Sequence, residues 1–247
     1  MRFLVPLLTL VAIVVGILAG GYPQLFGGDT IGEIARSART RIDPAPYAFA
    51  IWLPIFAGQL AFAVHQMLPS RWDDPAYRRI RLPAIVNSLA AGGWSIAYSH
   101  HLYAVAWTLM LVTLASLVVL VIRLGKPTGA TYGFSYVAYH ANLAWISVAM
   151  MVNTAQFFHH QLGWSGAPLA PVVWASILIA VAAVLGAYLL VRDRDFPFAA
   201  VVAWALIAIG IEQGRVAFLP IWCFALAASL GVVGMVSVLR APAPRHA

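Results

Sequence analysis

Residues 103–123 read YAVAWTLMLVTLASLVVLVIR, an apolar run closed by one charge at Arg123. The run has no period-two alternation and holds neither glycine nor proline. At 1.5 Å per residue, about 20 such residues in a helix cross the roughly 30 Å hydrocarbon core of a bilayer. In lipid the backbone must satisfy its own hydrogen bonds, and a helix does so within one segment. Comparable runs recur near 3–20, 46–67, 83–100, 135–160, 170–191, 197–213 and 216–239. The sequence therefore predicts an all-α polytopic transmembrane bundle of about eight spans. A transmembrane barrel needs short alternating strands between turns, and these runs are long and unbroken.

Composition agrees. Of 247 residues, 62% are hydrophobic and 9% charged, with mean hydropathy +0.87. A soluble domain carries about 25% charged residues, so this chain cannot clothe a water-facing surface. The single cysteine, Cys223, lies in an apolar run, which excludes a disulfide framework or a cysteine-based metal cluster within one chain. The opening MRFLVPLLTLVAIVVGILAGGYPQ resembles a secretory signal. No A-x-A pattern follows, however, and Phe3 to Ala19 is long enough to span, so it is read as the first helix. Pro69, Pro75 and Pro83 bracket the second connection, Gly125, Pro127 and Gly129 the fourth, and Gly163, Gly166, Pro168 and Pro171 the fifth. The third and seventh connections are so short that spans 3/4 and 7/8 should be tight antiparallel hairpins.

The formal charge is +7 with pI ≈ 10.0. The basic residues sit in short connections, where they set topology rather than bind nucleic acid. With eight spans, one side holds eleven: Arg2, Arg71, Arg78, Arg79, Arg81, Arg123, Lys126, Arg192, Arg194, Arg240 and Arg245. The other holds four: Arg36, Arg39, Arg41 and Arg215. This asymmetry predicts an integral protein of a bacterial inner membrane with both termini in the cytoplasm. Gly21 to Ala45 is then the one sizeable outer loop, with a short helix expected about Ile31–Arg39. It is either a lid over the bundle or a solvated connector. The closing APAPRHA reads as a short disordered tail.

Three blocks in order carry a resemblance. PAPYAFAIWLPIFAGQLAFAVHQ (Pro44 to Gln66), with Pro44, Pro46, Tyr47, Phe49, Trp52, Pro54 and Phe56, resembles the second helix of the TspO/MBR family, the tryptophan-rich sensory and translocator proteins. NSLAAGGWSIAYSHHLYAVAWTLMLVTLASLVVLVIRL is similar to that family's third and fourth helices, with Asn87, Trp94 and Trp107. ANLAWISVAMMVN (Ala141 to Asn153) resembles its fifth, with Trp145 and Asn153. The likeness covers roughly residues 1–160, and the usual family chain has five helices. The chain thus reads as an enlarged relative, with a TspO-like region at 1–162 and a three-helix extension at 163–247. Two departures stand out: Asn87 lies farther from Trp94 than the family pattern, and Tyr139-His140-Ala141 replaces the proline that opens the fifth helix. The resemblance implies binding of tetrapyrroles (porphyrin or haem), isoprenoids or other flat apolar molecules, frequent homodimers, and a sensing or regulatory role. The candidate ligand-binding residues are Trp52, Phe49, Tyr47, Phe56, Asn87, Trp94, Trp145, Asn142 and Asn153.

The residues can also be read without the family. Nine Trp supply large flat faces, each with one N–H donor. Those within spans, Trp52, Trp94 and Trp145, either line a pocket or simply pack, whereas Trp164 and Trp222 fit an interfacial belt. Gln59, Asn87, Ser88, His140, Asn142, Asn153, Gln156, Glu212 and Gln213 should face the bundle interior, because unpaired polar groups are costly in lipid. Asn142, Trp145, Asn153 and Gln156 fall near one helix face, to hold a ligand or to join helices at about 0.6 kcal/mol each. His100, His101, His159 and His160 end two spans on the outer side, as metal or haem candidates or as interfacial histidines. Glu212 and Arg215 are spaced for an i, i+3 ion pair, with Glu212 inside the G-x-x-x-G of Gly210 and Gly214; alternatively Glu212 is a proton site. No catalytic motif is present. Three functions follow: a ligand-binding sensory protein, a transporter coupled through Glu212, or a membrane enzyme using haem at the His pairs.

Overall fold

A computed structural model of the chain describes residues 3–30, 33–34, 40–126, 130–216 and 218–240, with the backbone alone described at 130–132. Among these residues are eight α-helices and no strand. They are α1 (Leu4–Gly21), α2 (Trp52–His65), α3 (Pro75–Ser99), α4 (Tyr103–Leu124), α5 (Ala130–Leu162), α6 (Pro171–Asp193), α7 (Phe196–Glu212) and α8 (Leu219–Leu239). A 3-10 segment, Pro46–Ile51, leads into α2. Five of the helices, with that lead included, are long and apolar enough to cross a membrane: Leu4–Gly21, Pro46–His65, Tyr103–Leu124, Pro171–Asp193 and Leu219–Leu239. The molecule is an all-α polytopic membrane bundle, as its sequence predicts. The tail from 241 lies outside the described residues, as does most of the helix expected at Ile31–Arg39.

Helix α3 begins earlier than the sequence suggests. The Asp74 carboxylate accepts a hydrogen bond from the Ala76 amide at 3.0 Å, and Pro75 takes the first helical position. Both are strong start signals. Pro83 is therefore inside the helix and not in a connection. A proline there cannot donate to the carbonyl four residues back, which belongs to Arg79. Arg123 of α4 supplies the missing donor, Nη1 to the Arg79 oxygen at 3.2 Å, while Arg79 Nη2 donates to the Leu124 carbonyl at 3.0 Å. Arg81, expected in a loop, is buried on α3, where it donates to Gln66 Oε1 at 2.8 Å and to the carbonyls of Trp72 and Arg71. Gln66 in turn donates to the Pro6 carbonyl at 2.9 Å, so this cluster fastens the start of α1, the end of α2 and the start of α3 together.

The two short connections do form hairpins: α3 packs extensively on α4, and α7 on α8. Helix α1 lies so close to α3 that a Cβ on Gly16 would sit 2.4 Å from the Ser88 carbonyl oxygen. Helix α5 is the centre of the bundle, touching α4, α2 and α7. It barely meets its chain successor α6, which packs on α7 and α8. Five helices thus gather on one side and three on the other. They share one core, which runs from Ile13 and Ile55 through Trp145 and Ile146 to Val202, Leu206 and Cys223. The outward faces carry large apolar side chains such as Ile122, Val184 and Leu239, suited to lipid.

Candidate ligand site

A cavity of about 1340 Å³ opens between the five-helix and three-helix groups, where α5 and α6 barely meet. Its walls come from four places. The end of the first loop gives Thr40 to Pro44, α5 gives Phe158 and His159, the 163–171 turn and α6 give Trp164, Trp174 and Leu178, and the end of α7 gives Glu212 to Arg215. Trp164 and Trp174 meet at 5.6 Å between ring centroids, and Phe158 meets Trp164 at 5.6 Å. Their indole N–H groups are already used: Trp164 donates to the Ala167 carbonyl at 2.9 Å and Trp174 to the Gly166 carbonyl at 2.8 Å. Both rings therefore offer flat apolar faces on a fixed turn.

The first loop is ordered where described. Asp29 donates from its amide to the Ser99 carbonyl at 3.0 Å, and its carboxylate meets His101 Nε2 at 2.9 Å. Thr30 and Glu33 form a reciprocal capping box, with the Thr30 hydroxyl donating to Glu33 at 2.6 Å. Farther on, the Ala45 amide donates to the Ala208 carbonyl at 3.0 Å, so the described ends of the loop are tied to the α3/α4 turn and to α7. Asp43 is buried, and accepts from the Thr40 amide and from Gln156 Nε2 at 3.4 Å. Gln156 also accepts from the Tyr98 hydroxyl at 3.0 Å. Gln213 Nε2 donates to the carbonyls of Thr40 and Asp43 at 3.2 and 3.4 Å. This polar seam ties loop, α3, α5 and α7 together on the cavity floor.

The aromatic residues predicted from the sequence lie deeper. Phe49, Trp52, Trp94, Trp145 and Asn153 come together around a chamber of only about 50 Å³ that shares Asp43, Pro44 and Phe49 with the larger cavity. Drug-sized ligands occupy roughly 300–1,000 Å³, so the inner chamber fits a few waters and no porphyrin, whereas the outer cavity has the volume. The inner rings fill their own space. Phe49 and Trp52 meet the Trp145 ring edge-on at 5.9 and 6.3 Å, Trp94 stacks on Tyr98 at 5.3 Å, and Trp94 Nε1 donates to Asn153 Oδ1 at 2.8 Å.

The other predicted residues stand apart. Tyr47 packs edge-on against Trp204 at 5.1 Å, and Phe56 stacks on Trp52 at 5.0 Å away from both cavities. Asn87 donates to the Thr113 carbonyl at 3.3 Å and accepts from Asn142 at 3.5 Å, joining α3, α4 and α5 in the core. His101 and His160 both pack on Tyr103, at 6.0 and 4.7 Å, and His159 meets His160 at 4.9 Å, while His100 reaches the Phe26 carbonyl, His101 also reaches Asp29, and His159 lines the cavity. Among the described residues no group of three or more histidine, cysteine or acidic side chains is placed to hold a metal. Glu212 and Arg215 both line the cavity but form no ion pair with each other among the described residues. Helix α7 ends at Glu212, so the helical i, i+3 geometry does not reach Arg215. Gly214 likewise falls in the turn, and only Gly210 meets α8, at Cys223 and Phe224.

Reading by residue type did not single out Trp174 and Phe158, and it gave Trp164 to the interfacial belt. The available signal was the stretch GWSGAPLAP (163–171), a compact turn flanked by Trp164 and Trp174. Neither a curated protein nor a solved structure gives a match to the chain. A family match is found over residues 2–237, through all eight helices and both walls of the cavity. The chain belongs to the TSPO-like protein family.

Proposed function

We propose that this is a sensory or regulatory membrane protein that binds a flat or elongated apolar molecule, with tetrapyrroles and isoprenoids as the candidate class. The ligand sits in the outer cavity, between the five-helix and three-helix groups. The observation that carries this reading is the 1340 Å³ cavity itself, lined by Phe158, Trp164, Trp174 and Leu178 and walled by the first loop. A ligand there touches both helix groups, so its binding can bias how they sit together. Such differential contact is what a sensor requires.

The test is a porphyrin titration of the full-length protein in phosphatidylcholine nanodiscs, read by tryptophan quenching. Replacing both Trp164 and Trp174 by Leu is expected to weaken binding about tenfold, the equivalent of about 1.4 kcal/mol of lost stacking. The Trp52→Phe, Trp145→Phe variant should bind like the parent. The opposite pattern would move the ligand to the inner chamber and refute this placement.

A further inference from the structure

The charged groups around the outer cavity are not balanced in their partners. Asp43 is committed, with one carboxylate oxygen taken by the Thr40 amide and the other by Gln156. Glu212 is also engaged by a neighbour. Arg41 and Arg215 line the same cavity, from the first loop and from the α7–α8 turn, and both are exposed at its mouth. Neither guanidinium makes a hydrogen bond or an ion pair among the described residues. Below them the walls turn aromatic and aliphatic, with Phe49, Phe158, Trp164, Trp174 and Leu178.

Resting on the function proposed above, we infer that the ligand is an anionic amphiphile. Its apolar body lies against Trp164 and Trp174, and its carboxylate or phosphate is held at the mouth by Arg41 and Arg215. A guanidinium offers five donors in a planar fork that matches either oxyanion. At the mouth the head group keeps part of its hydration while the body leaves water, so the cavity takes such a molecule end-on with no charge buried. The two arginines come from separate elements, and a ligand bridging them fastens the loop to the three-helix group.

The experiment compares protoporphyrin IX with its dimethyl ester, two probes with one apolar body and different charge. Full-length protein is used in phosphatidylcholine nanodiscs, and tryptophan quenching is read. The parent is expected to bind the dicarboxylate about tenfold more tightly than the ester. The Arg41→Gln, Arg215→Gln variant should lose that tenfold preference and bind the ester as the parent does, which also shows that it is folded. The Arg41→Lys, Arg215→Lys variant should keep most of it. Equal binding of acid and ester by the parent, or an unchanged preference in the glutamine variant, overturns the inference while leaving the cavity assignment standing. Failure of both probes to bind overturns the proposed function instead. Repeating the titration with phosphatidylglycerol in the disc identifies the source. Arginine-dependent competition assigns the anion to a lipid head group, its absence assigns it to a free carboxylate, and either result supports an anionic ligand.

Discussion

The buried pair between His140 and Asp195 offers the most direct test of how the three-helix group is fastened. Asp195 precedes α7 and caps it, one carboxylate oxygen accepting from the Phe198 amide at 3.0 Å. The other oxygen accepts from His140 Nδ1 on α5. His140 Nε2 is buried and has no hydrogen-bond partner among the described residues, and the Tyr136 ring stacks on the imidazole at 3.8 Å. Replacing Asp195 by Ala removes a cap worth about 1 kcal/mol. It also strands a second imidazole nitrogen in the interior, at about 1–3 kcal/mol. The expected loss is therefore about 2–4 kcal/mol. For a chain of this size that corresponds to a melting-temperature drop of about 5–15 °C. Asp195→Asn keeps one oxygen to accept from the Phe198 amide and presents its NH2 to His140, which accepts through Nδ1 in its other tautomer, so it should cost less than half as much. The assay uses Cys223, the single cysteine, which is fully buried where α7 meets α8. A thiol-reactive fluorophore reports its exposure on heating. The double variant Asp195→Ala, His140→Phe should melt above Asp195→Ala alone, since no stranded imidazole remains. A drop under about 2 °C for Asp195→Ala, or additive effects in the double variant, would refute the reasoning.

Two further outcomes are expected. Gly16→Val should sharply lower the yield of folded protein, because its Cβ would lie 2.4 Å from the Ser88 carbonyl oxygen, whereas Gly21→Val, with nothing within 4 Å, should melt like the parent; equal thermal shifts would refute the close α1–α3 packing. A green fluorescent protein fused after Ala247 should fluoresce in bacterial cells and an alkaline phosphatase fused there should be inactive, as the positive-inside asymmetry requires; the reverse would invert the topology.

What the sequence reveals about this molecule divides along the range of the interactions involved. Helix existence is local: uninterrupted apolar runs such as 103–123 dictate it, and all eight predicted spans are helices. Burial is nearly local as well. Gln59, Asn87, Ser88, His140, Asn142, Asn153, Gln156 and Gln213 are inside, because polar groups are costly in lipid, while Glu212 of the same set is half-buried and lines the cavity. The errors arise where a distant group overrides a local signal. Pro83 reads as a helix breaker until Arg123, forty residues on, supplies the donor it lacks.

The site shows the same division more sharply. Tryptophans spaced along spans say that large flat rings meet in the core, and Trp52, Trp94 and Trp145 do meet. Spacing cannot say whether rings that meet leave room between them. Here they do not. Opening the inner chamber means parting Phe49 and Trp52 from Trp145 and Trp94 from Tyr98, at about 0.5–1.5 kcal/mol per pair, and freeing the Trp94 indole from Asn153. In the outer cavity the indoles of Trp164 and Trp174 already donate to carbonyls of their own turn, so entry of a ligand breaks no such hydrogen bond. A site that needs no reorganisation loses less binding free energy, which is why the proposed function places the ligand there. The three C-terminal helices, which the five-helix resemblance leaves without a role, supply one wall of that cavity. The cavity lies between the end of α5 and the start of α6, neighbours in the chain that barely touch.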